Sequence, residues 1–86
     1  MITAAQMRAA RALLGIDQRT LARRSGVSLP TIQRMEATSG GNVRGIVDSL
    51  TKVVAALEDA GVELIGDNAA STAGGRGVRL KTGSAP

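Results

Sequence analysis

Cysteine is absent from the 86 residues, which excludes disulfides and thiolate metal sites. Histidine is absent as well, so a zinc site would need carboxylates alone and imidazole general-base chemistry is impossible. Without Phe, Trp or Tyr, the core must be built from Leu, Ile, Val, Met and Ala. No aromatic platform exists for stacking single-stranded bases. No apolar run approaches the ~20 residues that cross a bilayer. The first residues lack the charged and apolar blocks of a secretory leader, so the expected location is the cytoplasm. Neither Gly40-Gly41 nor Gly74-Gly75 has the strand, loop, helix and lysine context of a phosphate loop. No enzyme, metal or cofactor is expected.

What is present is arginine, unevenly placed. Residues 1–44 hold Arg8, Arg11, Arg19, Arg23, Arg24, Arg34 and Arg44 against Asp17 and Glu36, seven minus two or +5. Residues 45–86 carry four basic and five acidic groups, or −1. The net charge of +4 therefore sits in the first half. Arginine suits bidentate phosphate contact, although a solvated basic surface would look the same in composition. A domain this short buries only roughly 60% of the surface its unfolded chain exposes. With no aromatic bulk and no covalent staple, a partner subunit is expected to help stabilise it.

Helix punctuation is dense. Thr3 with Gln6 forms a capping-box pattern, Met7, Ala10 and Leu14 recur at helical spacing, and Gly15 stands at the stop. Asp17 caps a second helix over Gln18–Ser25, closed by Gly26. Ser28 caps a third, with Pro30 in a first turn where a missing amide costs little. Residues 38–42 read as a loop. From about Val43 an apolar stripe of Ile46, Leu50, Val53, Val54 and Leu57 runs to Gly61, with Asp48 as a candidate cap of its longer part. Beyond Gly61 the period shortens towards two. Residues 62–66 and 77–81 read as strands around a small-residue flexible segment, and 82–86 as a fraying tail.

Residues 18–35 meet the demands of a helix-turn-helix. A small residue is needed where two steeply crossed helices touch, and Ala22 supplies it. Four residues later Gly26 tolerates the positive φ of a sharp turn. Leu21, Val27, Ile32 and Met35 supply the core face, while Ser25 falls where an apolar residue is expected. Two ordinary amphipathic helices joined by a glycine turn would use the same core.

The run Asp17-Gln18-Arg19-Thr20-Leu21-Ala22, followed by Ser25-Gly26-Val27-Ser28-Leu29-Pro30-Thr31-Ile32-Gln33-Arg34-Met35-Glu36, resembles the Cro/repressor-type (XRE) helix-turn-helix regulators. The resemblance spans roughly residues 3–60. It implies a mainly α fold of four to five helices, and a dimeric regulator of transcription, most simply a repressor, that binds double-stranded DNA at an inverted repeat. In that family Gln18 looks like the glutamine that clamps a phosphate, and Ser28 like a cap that also meets the backbone. Thr31, Gln33 and Arg34 become candidate base or phosphate contacts, and Arg11 with Glu36 a strut between the first and third helices. Arg19, Arg23 and Arg44 join the candidate DNA contacts, with Arg24 the weakest. Leu29 and Pro30 depart from the polar readers common at those positions. Leucine can touch a thymine methyl and proline can shape the helix start, but DNA shape must then share the reading.

The terminal strands resemble those of a subgroup that pairs them across the dimer, as in antitoxin-repressors of persistence-type toxin–antitoxin pairs. An isolated two-stranded hairpin is marginal in water. Joining two copies would bury Val62, Leu64, Val78 and Leu80. The alternative is a tail lying on its own domain. The expected organisation is a DNA-binding body over 1–61, a dimerising strand pair over 62–81 and a disordered tail over 82–86. A second function class, an antitoxin or other module that docks a cognate toxin or another protein, stays open beside the regulator.

Overall fold

A computed structural model gives the structure of the chain and describes residues 2–38, 47–66 and 73–82. Four helices and two strands follow one another among them: α1 (Ala4–Leu14), α2 (Gln18–Ser25), α3 (Leu29–Glu36), α4 (Val47–Asp59), β1 (Val62–Ile65) and β2 (Gly77–Leu80). The helix start expected at Val43, together with Arg44 and Ile46, lies outside the described residues, as do most of the loop at 38–42, residues 67–72 of the inter-strand segment, and 83–86 of the tail. Asp48 stands in the first described turn of α4 and not ahead of it.

Local chemistry accounts for the ends of α1 to α3. Thr3 and Gln6 exchange both bonds of a capping box: the Gln6 amide donates to Thr3 Oγ1 at 3.1 Å, and the Thr3 amide donates to Gln6 Oε1 at 2.9 Å. At the far end the amides of Gly15 and Ile16 donate to the carbonyls of Ala12 and Arg11. That pair of bonds is a Schellman closure, and Gly15 takes its left-handed backbone at φ 67°. Asp17 accepts the Thr20 amide at 2.7 Å to open α2. Ser28 accepts the Thr31 amide at 3.4 Å to open α3, whose second residue is Pro30.

The core is aliphatic throughout. Met7, Leu21, Ile32, Met35, Val53, Leu57 and Val62 are its largest fully buried side chains. Two methionines, Met7 and Met35, lie among them, and an unbranched thioether adapts to irregular gaps in a core. α1 contributes Ala4, Met7, Ala10 and Leu14, and α4 contributes Leu50, Val53 and Leu57. α2 packs between α3 and α4, while α1 packs on α3 and on the sheet.

β1 and β2 pair with each other, antiparallel, with Val62 opposite Leu80, Glu63 opposite Arg79, Leu64 opposite Val78 and Ile65 opposite Gly77. The Lys81 amide adds a bond to the Gly61 carbonyl at 2.8 Å. Glu63 and Arg79 form an exposed cross-strand ion pair. The face that carries Val62, Leu64, Val78 and Leu80 lies on the helical core of the same chain. Val62 is 0% exposed there. Val62, expected to meet a second copy, is buried within its own chain here: α4 ends at Asp59, and the short turn through Gly61 swings β1 back onto its own helices. Leu64, Val78 and Leu80 are partly buried against the same core.

Gln6 fastens the hairpin to α1. While its carbonyl oxygen serves the cap, its Nε2 donates to the carbonyls of Ile65, at 2.9 Å, and Gly77, at 3.1 Å. Those two residues face each other at one end of the ladder. One buried amide thus ties the start of the first helix to both strands. Gln6→Ala is expected to remove the two strand contacts and the reciprocal half of the cap, costing about 2 kcal/mol. Chemical denaturation measures the loss, and faster amide exchange across 62–65 and 77–80 locates it.

Candidate nucleic-acid interface

The helix-turn-helix expected over 18–35 is formed by α2, the turn at Gly26 and α3. Leu21, Ala22, Val27, Ile32 and Met35 are buried. Gly26 has φ 71°, and a Cβ placed on it would meet nothing within 4 Å. The requirement for glycine there is conformational and not spatial. Ser25, the polar residue at a position where an apolar one is expected, is buried. Its buried hydroxyl donates to the Ala22 carbonyl and accepts the Val27 amide, each at 3.3 Å. A polar side chain there satisfies the backbone of the tight turn where an apolar one would not.

α3 is held by a buried carboxylate. Arg11 meets Glu36 in a fork, Nε to Oε2 and Nη2 to Oε1, both at 2.7 Å. The side chains are 19% and 3% exposed. Gln18 Nε2 donates to Glu36 Oε1 at 3.2 Å. Arg8, one turn before Arg11 on α1, donates to the Glu36 main-chain carbonyl. Arg11 also reaches the Ile16 carbonyl at 3.3 Å. α1, the start of α2 and the end of α3 therefore meet at one residue. The hydrogen bond to Glu36 holds the Arg11 pKa above its ordinary value, against the opposing effect of burial. The expected Arg11–Glu36 pair is present in this geometry. The roles of Gln18 and Arg8 in it were missed; spacing gave only the hint that Arg8 and Arg11 share a helix face.

Outside this strut lies the polar surface. Pro30, Gln33 and Arg34 are exposed on α3, as is its cap Ser28, and Thr31 is half-buried. Leu29 is half-buried and packs on the core, which leaves only part of it for a ligand. Arg19, Arg23 and Arg24 are exposed on α2. Gln18 spends one N–H of its amide on Glu36 and keeps the other. Arg44, expected beside these residues, lies outside the described part of the chain. Among the described residues there is no cluster of His, Cys, Asp or Glu that could hold a metal ion, and no helix is long and apolar enough to cross a membrane.

Two outcomes test this architecture. Glu36→Ala leaves the Arg11 guanidinium without its partner and is expected to cost about 3 kcal/mol, as breaking a largely buried pair does. The double variant with Arg11→Met should lose less than the sum of the single losses in denaturant titrations. The second outcome concerns Asp17. Hydrogen bonding to Thr20 lowers its pKa, with smaller contributions from Arg19 and Arg23. A lowered carboxyl pKa stabilises the fold above the unfolded value and loses that contribution as pH falls through the folded one. Asn caps equally well but does not titrate. In melts from about pH 6 to about pH 2, the wild type should therefore lose stability relative to Asp17→Asn only in the acid limb.

Comparison with known families agrees with this geometry. Residues 7–37 match the family model described as helix-turn-helix. No curated protein matches the chain. The matched segment runs from Met7 through Ala37 and so takes in most of α1, all of α2 and α3, and the Glu36 strut. DNA binding, in the service of transcriptional regulation, is the activity this domain type implies. Residues 7–37 are a helix-turn-helix domain of the XRE family, of the Cro/C1 type, set among the described residues in a mainly helical four-helix fold with a short antiparallel sheet after it.

Proposed function

We propose that the chain is a sequence-specific regulator of transcription that represses by occupying an inverted-repeat operator as a homodimer. The observation that carries the reading is the pairing of a rigid inner face of α3 with an exposed polar outer one. Ile32, Met35 and Glu36 hold the helix from within, and Gln33 and Arg34 stand free of the core. In this reading α3 enters the major groove. Thr31, Gln33 and Arg34 meet base edges or phosphates, and Pro30 with the outer part of Leu29 meets thymine methyls. Gln18, Arg19, Arg23, Ser28 and Arg44 hold the sugar-phosphate backbone.

Among the described residues each strand of the two-stranded sheet has one strand neighbour, and a sheet edge favours pairing with a second copy. The body over 1–61 then reads DNA and the hairpin over 62–81 joins the subunits. With Val62 already buried, the contact falls to backbone groups of an edge and to Leu64, Val78 and Leu80. A two-fold dimer sets its third helices about one DNA turn, ~34 Å, apart.

A second reading, a module that docks another protein such as a cognate toxin, is favoured by one feature. An apolar groove of about 340 Å³ runs along α4, lined by Ile2, Val47, Leu50, Thr51, Val54, Ala55 and Glu58. Val47 is 73% exposed beside it. A toxin gene next to this one, and a stable complex with its product, would favour that role.

Gel-shift titration against DNA from upstream of the chain's own coding region tests the regulator. Affinity should exceed that for random duplex by roughly a thousandfold or more, and should fall steeply with salt. Arg19→Ala and Arg23→Ala should each weaken binding on all sequences and reduce the salt slope by about one. Equal affinity for both duplexes would overturn the reading. Sedimentation of the free protein and of its complex tests the dimer.

A further inference from the structure

The outer face of α3 carries a small hydrogen-bonded network that links three of the residues assigned to DNA above and divides their roles more finely. Arg34 folds back one turn along its helix, and its Nη2 donates to Thr31 Oγ1 at 3.2 Å. The Ser28 hydroxyl donates to the same Thr31 oxygen at 2.9 Å, and Ser28 Oγ accepts the Thr31 amide. Thr31 is half-buried, so its side chain is more constrained than that of the exposed Arg34. The guanidinium is thereby drawn towards the N-terminal half of α3, the part of a recognition helix that faces base edges. A free arginine on a helix surface loses much side-chain entropy on binding, and one already held in place loses less.

We infer that Thr31 is a positioning residue for Arg34, and that the guanidinium it steadies reads a guanine in the major groove of each half-site. The planar fork matches guanine O6 and N7, an acceptor pair that no other base presents. One Nη nitrogen of Arg34 is engaged by Thr31, and the guanidinium keeps further N–H groups for the base. Thr31 Oγ1 acts here as an acceptor shared by Ser28 and Arg34, so its contribution to specificity passes through the arginine. This inference rests on the DNA-reading role of α3.

The test is selection from a randomised duplex library by the full chain and by Thr31→Val, Thr31→Ser, Arg34→Ala and the double variant Thr31→Val/Arg34→Ala. The wild type should enrich a site with a strongly preferred guanine in each half. Arg34→Ala should abolish the preference at that position, a change of roughly tenfold or more, and leave other positions intact. Thr31→Val keeps shape and removes the acceptor, and it should lower the same preference roughly two- to tenfold. Thr31→Ser should restore it. In the Arg34→Ala background Thr31→Val should add nothing to base preference, because a residue acting through another has no effect once that other is gone. Circular dichroism of each variant confirms that the helices are retained.

Failure has separable forms. If the wild type enriches no sequence, the DNA-reading proposal falls and this inference with it. If the wild type enriches a site and Arg34→Ala keeps the guanine, or weakens binding equally at all sequences, Arg34 is a phosphate contact and the inference alone is overturned. If Thr31→Val changes base preference equally with and without Arg34, the threonine reads DNA directly and its positioning role is overturned.

Discussion

The carboxylate of Glu36 organises the DNA-binding half of the molecule. It is nearly closed off from water, and a charge in that state is tolerated only when donors surround it. Two come from the Arg11 guanidinium and one from the Gln18 amide, while Arg8 takes up the carbonyl of the same residue. Each donor belongs to a different stretch of chain from the acceptor. The apolar core beneath specifies that α1, α2 and α3 pack, but aliphatic contact is non-directional and tolerates small rotations. A bidentate pair does not, because both bonds weaken as soon as either plane tilts. The polar cluster thus converts packed helices into a fixed angle, which is what the proposed entry of α3 into a groove requires.

The sheet answers a different constraint. A domain with no aromatic residue and no disulfide must gather apolar area from every element it has. The hairpin supplies Val62 in full and Leu64, Val78 and Leu80 in part. Its position is set by Gln6, whose amide group serves a helix cap with one atom and two strand carbonyls with another. A buried amide with both ends satisfied adds directional information that methyl groups cannot. The exposed Glu63–Arg79 pair on the opposite face contributes little by comparison.

Much of this was legible in the residues. Short-range chemistry is written locally, so Thr3, Asp17 and Ser28 could be placed as caps and Gly15 and Gly26 as stops before any tertiary contact was known. The buried faces of α1 to α3 followed from spacing, and the Arg11–Glu36 strut from resemblance. What escaped was the chemistry of long separations. Gln6 looked like a cap partner and nothing more, since the strand carbonyls it meets lie 59 and 71 positions away. Gln18 looked free for a phosphate, because nothing in its neighbours announces Glu36. Period-two alternation showed which strand residues share a face. It did not say which body that face would cover, and for Val62 the answer was the chain itself. The reason for a polar residue at Ser25 escaped too, since its two bonds are local but belong to the geometry of the turn.

The reach of Gln6 also orders events in time. A ribosome delivers α1, α2 and α3 long before it delivers Gly77. Their mutual contacts close short loops, which form quickly. The Glu36 cluster can therefore assemble on a nascent chain whose final strand has not yet been made. The amide of Gln6 must wait for both carbonyls, which lie beyond α4 in the chain. The contact that locks the hairpin thus waits for β2, and a polypeptide cut short before β2 would keep α3 but leave this latch open.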